Sequence, residues 1–248
     1  MSLLTYDRTI MMAVDPGNQF IHDPDESERF FVFDMFGTLV SNRYGNLDEI
    51  FRVFYSFFEN VGPEDIQAEY ERFMTDYSIE HGRLSDFSIT LLMNHLDEVF
   101  GCEHDPILSE KMMMRDTHTY IAANGAADTL GFLKDNHYSI GVLSNTAYSS
   151  GTVRGLLEDV GLSEYVDTVV CSADIGMKKP SDEAYAAVLD SLGADRNKCF
   201  FAGDSRLNDY CAPNTFGMRA AFFIDPVHPS EKECVVASIG DIPAFFRN

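Results

Sequence analysis

Basic residues are scarce in this chain. Lys and Arg total 18 against 40 Asp and Glu, giving a formal net charge of −22 over 248 residues. A surface this acidic repels nucleic-acid backbones and anionic membranes, so neither is expected as a partner. An anionic substrate would need a local cationic feature or a metal ion to hold it. Cysteine is sparse and shows no pairing pattern. Cys102, Cys171, Cys199, Cys211 and Cys234 are odd in number and include no Cys-x-x-Cys spacing. That argues against a disulfide framework or a zinc site and for reduced thiols in a cytoplasmic protein. No apolar run approaches the roughly 18–20 residues of a membrane span. The patch Thr9–Val14, ended by Asp15, is too short for a signal-peptide core.

What is plentiful is core material. Hydrophobic residues make up 45%, with 20 Phe and 11 Tyr, which excludes global disorder. The length allows one large domain or two small ones. Residues 1–28 show no sustained period. Asp15-Pro16-Gly17 reads as a turn and residues 22–28 as a polar breaker, so a flexible N-terminal extension is expected there.

Order begins with the apolar run Phe30-Phe31-Val32-Phe33, ended by Asp34. Similar short runs follow at Tyr138–Leu143, Val166–Cys171, Lys198–Ala202 and Met218–Ile224. Continuous short runs suit strands buried on both faces. Helical spacing lies between them, as in Val153, Leu156, Leu157 and Val160, then Gly161. Tyr185, Val188, Leu189 and Leu192, then Gly193, form a second case. The expectation is an α/β fold: a Rossmann-like, doubly wound parallel sheet over 29–42 and 122–248.

About a hundred residues separate the first two runs, far more than one crossover needs. Residues 43–121 read as an inserted α-helical bundle, a cap. The first stripe is Ile50, Phe54, Phe57, Phe58 and Val61, stopped by Gly62-Pro63. The second is Ile66, Tyr70, Phe73, Met74 and Tyr77. A third runs through Leu84, Phe87, Leu91, Leu92, His95 and Val99. Asp105-Pro106 opens the fourth, with Asp as N-cap. Met112-Met113-Met114 reads as cap core. His81, His95, His104 and His118 show no metal-ligand spacing.

In an open α/β sheet, ligands bind beyond the carboxyl ends of the strands. Those ends carry Asp34, then Ser144-Asn145, then Lys179-Pro180, then Gly203-Asp204-Ser205 with Asp209 close behind. Singly, most of these could be caps or turn residues. Jointly, and in this order, they form a specific signal.

Asp34-Met35-Phe36-Gly37-Thr38, Ser144, Lys179-Pro180 and the Gly203–Asp209 run together resemble the haloacid dehalogenase (HAD) superfamily of hydrolases. The insert resembles the cap of its first subclass. The resemblance implies Asp34 as nucleophile, with Ser144 and Lys179 as its catalytic companions. It implies Mg²⁺ on Asp34, the Phe36 backbone carbonyl and Asp204, with Asp209 in the outer shell or a weaker ligand. It implies substrate contacts from Gly37, Thr38, Ser144, Asn145 and Lys179, and a small phosphorylated metabolite as the ligand. A monomer and a homodimer both remain open.

One residue departs from the pattern. Most phosphatases of the superfamily carry a second Asp two residues after the nucleophile, and here that position is Phe36. General acid–base help is worth about 10²–10⁴-fold in rate. Three consequences compete: a phosphatase restricted to good leaving groups, a binding protein without turnover, or a 2-haloacid dehalogenase-like enzyme. The dehalogenases carry an aromatic residue at this position. They also bind a substrate carboxylate with an Arg, and spacing selects none of Arg43, Arg52 and Arg83. Against them, the acid Asp204 in the last motif favours a cation and phosphoryl chemistry.

Overall fold

The structure is a computed structural model and describes residues 29–44 and 52–246. The expected N-terminal extension, 1–28, and the start of the first cap stripe at Ile50 lie outside the described residues.

The core is a six-stranded sheet. Its strands are β1 (Phe30–Phe33), β4 (Ser139–Ser144), β5 (Thr168–Cys171), β6 (Cys199–Gly203), β7 (Ala220–Ile224) and β8 (Val235–Val236). Their spatial order is β5-β4-β1-β6-β7-β8, and each neighbouring pair is parallel. The four apolar runs after Phe30–Phe33 supply β4 to β7, while the two-residue β8 is too short to read from sequence.

Alternation along the strands divides the core in two. Phe31, Phe33, Phe200 and Phe222 pack on one face with helices α4 (Ala126–Asp135) and α5 (Ser150–Asp159). Val32, Phe201 and Ala221 pack on the other with α6 (Asp182–Leu192). Both faces are covered, which is why these strands are apolar throughout.

After β1 the chain moves to β4 and β5 on one side, then returns to β6 on the other. The order therefore reverses at the β1–β6 pair. This switch point places Asp34 beside the end of β6, where Asp204 follows Gly203.

Between β1 and β4 lies an antiparallel ribbon, β2 (Val40–Tyr44) with β3 (His118–Ala122). The sequence reading did not anticipate it. Among the described residues, four helical segments sit between its strands: residues 52–55, α1 (Pro63–His81), α2 (Ile89–Phe100) and α3 (Pro106–Thr117). Phe54, Phe58, Ile66, Leu92, Met93 and Leu96 close their own hydrophobic cluster. The Asp105 cap forms as expected, its Oδ1 accepting from the N–H groups of Ile107 and Leu108.

The third helical stripe differs from expectation. Ser88 caps α2 by accepting from Leu91 N–H, so the helix starts at Ile89 and excludes Leu84 and Phe87. Its buried face is Ile89, Leu92, Met93 and Leu96, while Leu91 and Val99 are exposed. Leu84 and Phe87 belong to the loop before the helix, and their spacing only imitates its period. Met113 joins the cap cluster and Met114 the main core, so α3 links the two.

The loop before α2 is stitched to the core. Lys178 N–H donates to Leu84 O at 2.9 Å, Asp86 N–H to Gly176 O at 3.0 Å, and Ile89 N–H to Ala147 O at 2.9 Å. Ser172 Oγ donates to Asp86 Oδ2 at 2.7 Å. Glu110 of α3, almost fully buried, accepts from Ser149 N–H and from Thr90 Oγ1. Among the described residues, no helix is long and apolar enough to cross a membrane.

Candidate active site

Asp34 leaves the end of β1 with its N–H donated to Ala202 O of β6 at 2.9 Å. The chain then turns at once. Gly37 N–H donates to Val40 O, while Leu39 and Val40 N–H both reach Met35 O. Gly37 has φ +86°, a conformation that L side chains rarely adopt. It has a second reason to be Gly: a Cβ there would overlap the Asp204 carboxylate. This turn thus brings the acid after β6 against the acid after β1.

Gly203 plays the same part for Asp209. A Cβ at Gly203 would meet Asp209 side-chain atoms at 2.5 Å. Asp209 sits in a wide π-helical turn, Arg206–Cys211, that folds back over the end of β6. Its Oδ2 accepts from Ser205 N–H at 2.9 Å. Candidate ligand atoms of Asp34, Asp204 and Asp209 all lie within 4.8 Å of one another.

Lys179 answers part of this charge. Its Nζ lies 2.7 Å from Asp34 Oδ1 and 2.7 Å from Asp209 Oδ1, and the side chain is buried. Burial alone would lower the Lys179 pKa, but the Asp34 and Asp209 carboxylates outweigh it and hold the ammonium above its ordinary value. Burial raises the Asp209 carboxyl, and Asp34 adds to that rise against the pull of Lys179. Burial and then Asp34 also raise Asp204, which keeps one side open to solvent. Three carboxylates against one ammonium leave a formal −2. That excess suits a divalent cation, and an all-oxygen donor set suits a hard one such as Mg²⁺.

Two hydroxyls complete the site. Thr38 Oγ1 and Ser144 Oγ are buried and have no hydrogen-bond partner among the described residues. A buried polar group left unmade costs about 1–3 kcal/mol. Thr38 lies in the turn after Asp34 and Ser144 ends β4, the strand beside β1, so an anionic oxygen at this edge of the sheet would satisfy them.

Two expected residues behave differently from the rest. Asn145, expected among the substrate ligands, commits its side-chain amide elsewhere: Oδ1 accepts from Lys179 N–H at 2.7 Å and Nδ2 donates to Lys179 O at 2.9 Å. What it has left for a substrate contact is its backbone and the second Nδ2 hydrogen. Phe36 holds its backbone in the tight turn, while its half-buried ring packs 5.8 Å from Tyr120 of β3. No proton can be moved from that ring.

Sequence reasoning missed the buried Glu110 and the Asn145 clamp. Glu110 shares a helix face with Met113, Met114 and Thr117, and an acid on an apolar face was the available signal. The clamp had none, because it joins residues 34 positions apart.

Known proteins give a consistent picture. The profile of the haloacid dehalogenase-like hydrolases matches residues 29–212. Human haloacid dehalogenase-like hydrolase domain-containing protein 3 is 26% identical over 156 residues, covering 61% of each chain. A phosphoglycolate phosphatase of Yersinia pestis is 30% identical over 123 residues, covering 46% of this chain and 50% of that one. The matches thus span only part of these relatives. The crystal structure of a 2-haloacid dehalogenase from Pseudomonas syringae pv. Tomato DC3000 superposes with a TM-score of 0.62. It covers 88% of this chain and 97% of that one at 18% identity, a likeness of fold. With the strand order, the four strand-end clusters and the profile in agreement, the chain belongs to the haloacid dehalogenase-like hydrolases.

Proposed function

We propose that this hydrolase releases phosphate from a small phosphorylated metabolite, with Mg²⁺ bound, through an aspartyl-phosphate on Asp34. The carrying observation is the pairing of a three-carboxylate, one-lysine cluster of formal charge −2 with two buried hydroxyls that have no partner among the described residues. The first suits a divalent cation and the second an oxyanion. The phosphoglycolate phosphatase relatives support the same substrate class.

Asp34, the Phe36 carbonyl and Asp204 would hold Mg²⁺, with Asp209 behind them, and the ion would offset the repulsion between carboxylate and phosphoryl oxygens. A carboxylate oxygen of Asp34 forms a bond to phosphorus as the bond to the leaving oxygen breaks, and that oxygen departs with the electron pair. Ser144 and Thr38 hydroxyls and nearby backbone N–H groups hold the phosphoryl oxygens. Lys179 offsets charge on Asp34 and on the transferring group. Water then attacks phosphorus, phosphate leaves, and the Asp34 carboxylate is restored.

Phe36 cannot protonate the leaving oxygen. The substrates that fit are therefore those whose leaving group is stable as an anion, such as aryl or acyl phosphates. Phe36 equally fits a chain that binds a phosphorylated ligand without turning it over. Phosphate release from p-nitrophenyl phosphate and acetyl phosphate, with Mg²⁺ and with EDTA, separates the two. Activity that needs both Mg²⁺ and Asp34, with Asp34→Asn as control, supports turnover. Rates equal to that control favour the binding role.

A further inference from the structure

We infer that Asn145 is a positioning residue that aims the Lys179 ammonium by gripping its main chain. For its catalytic consequence this rests on the phosphoryl-transfer reading above. The grip itself is independent of that reading.

The two hydrogen bonds from the Asn145 amide go to the N–H and the C=O of the same residue, at 2.7 and 2.9 Å. These groups belong to the peptide planes on either side of the Lys179 Cα. Holding both planes fixes the direction of the Cα–Cβ bond, from which the side chain extends to Asp34 and Asp209. Only a side chain with a donor and an acceptor on one planar group can do this, and among short side chains that is Asn. Asp lacks the donor and Ser lacks the span.

The neighbouring residues of this loop are held from the cap side. Lys178 N–H donates to Leu84 O, and Gly176 O accepts from Asp86 N–H. Asn145 supplies the grip from the sheet side. It also follows Ser144 directly, so one strand end places both a buried hydroxyl and, through the clamp, the buried ammonium. In the order Ser144-Asn145, the hydroxyl is left for the ligand and the amide is used within the protein.

The test uses Asn145→Ala and Asn145→Asp in the full chain, with Lys179→Met as reference. Asn145→Asp keeps an acceptor for Lys179 N–H but sets an anion against Lys179 O. With Mg²⁺ and p-nitrophenyl phosphate, both Asn145 variants should lose about 10–100-fold in kcat, the worth of two hydrogen bonds, with KM changed by less than about threefold. A KM effect at constant kcat would overturn the inference and return Asn145 to substrate binding.

A second readout needs no turnover. In ¹⁵N-lysine-labelled protein, an ammonium held between two carboxylates should give a slowly exchanging signal that Lys179→Met removes. In both Asn145 variants that signal should shift or broaden, with the rest of the lysine spectrum retained as the check on folding. An unaltered ammonium signal in either folded variant would overturn the inference. A wild type without phosphatase activity would defeat the phosphoryl reading while this readout still decides the role of Asn145.

Discussion

The carboxylate of Asp204 lies against the Cα of Gly37, so closely that no β-carbon fits between them. The residue that lets the chain turn after Asp34 is therefore also the residue that admits Asp204. Gly37→Ala should fail on both counts. Forcing Ala to φ +86° should destabilise the fold by more than about 1 kcal/mol. Pushing Asp204 aside should weaken Mg²⁺ binding by about 10–100-fold, as loss of a ligand's support commonly does. Urea unfolding and calorimetric Mg²⁺ titration check the two effects separately. Wild-type affinity in the variant would show that Asp204 is not a metal ligand.

The unpartnered Ser144 hydroxyl makes a prediction with an unusual sign. Ser144→Ala removes a buried oxygen that has no hydrogen-bond partner among the described residues, so the unliganded protein should gain about 1 kcal/mol of stability. Wild type should rise in Tm with Mg²⁺ and the phosphate analogue tungstate, and the same variant should lose that rise. Thermal unfolding with and without both additions reads the two results together. A destabilised variant that keeps the tungstate response would assign the hydroxyl to packing.

Phe36 offers a gain-of-function test. Its ring is half-buried beside Tyr120. Phe36→Asp should restore leaving-group protonation, worth about 10²–10⁴-fold for alkyl phosphates and much less for p-nitrophenyl phosphate. The measurement is kcat/KM across a series of leaving groups. The dependence on leaving-group pKa should be steep in wild type and shallow in the variant. Equal slopes would remove Phe36 from the explanation of substrate range.

Much of this arrangement was legible in the sequence because it depends on local pattern. Asp34, Ser144 and Asp204 sit at or directly after the ends of short apolar runs, and those runs became β1, β4 and β6. A parallel sheet places such ends along one edge, so their convergence followed from order alone. What could not be read depends on contacts between distant segments. The pairing of Val40–Tyr44 with His118–Ala122 leaves no mark on either segment. The loop 84–87 docks on 176–178 through backbone hydrogen bonds, while its Leu84 and Phe87 imitate a helical stripe. Asn145 reads as an ordinary polar residue at a strand end until Lys179 is placed beside it.

A covalent step on Asp34 can be caught by rapid acid quench during turnover of acetyl phosphate. The quenched protein would be digested and its peptides weighed. A Mg²⁺-dependent, hydroxylamine-labile phosphoryl group should appear on the peptide carrying Asp34 and be absent from Asp34→Asn. Turnover with that peptide unmodified at every quench time, or with the phosphoryl group on another residue, would contradict it.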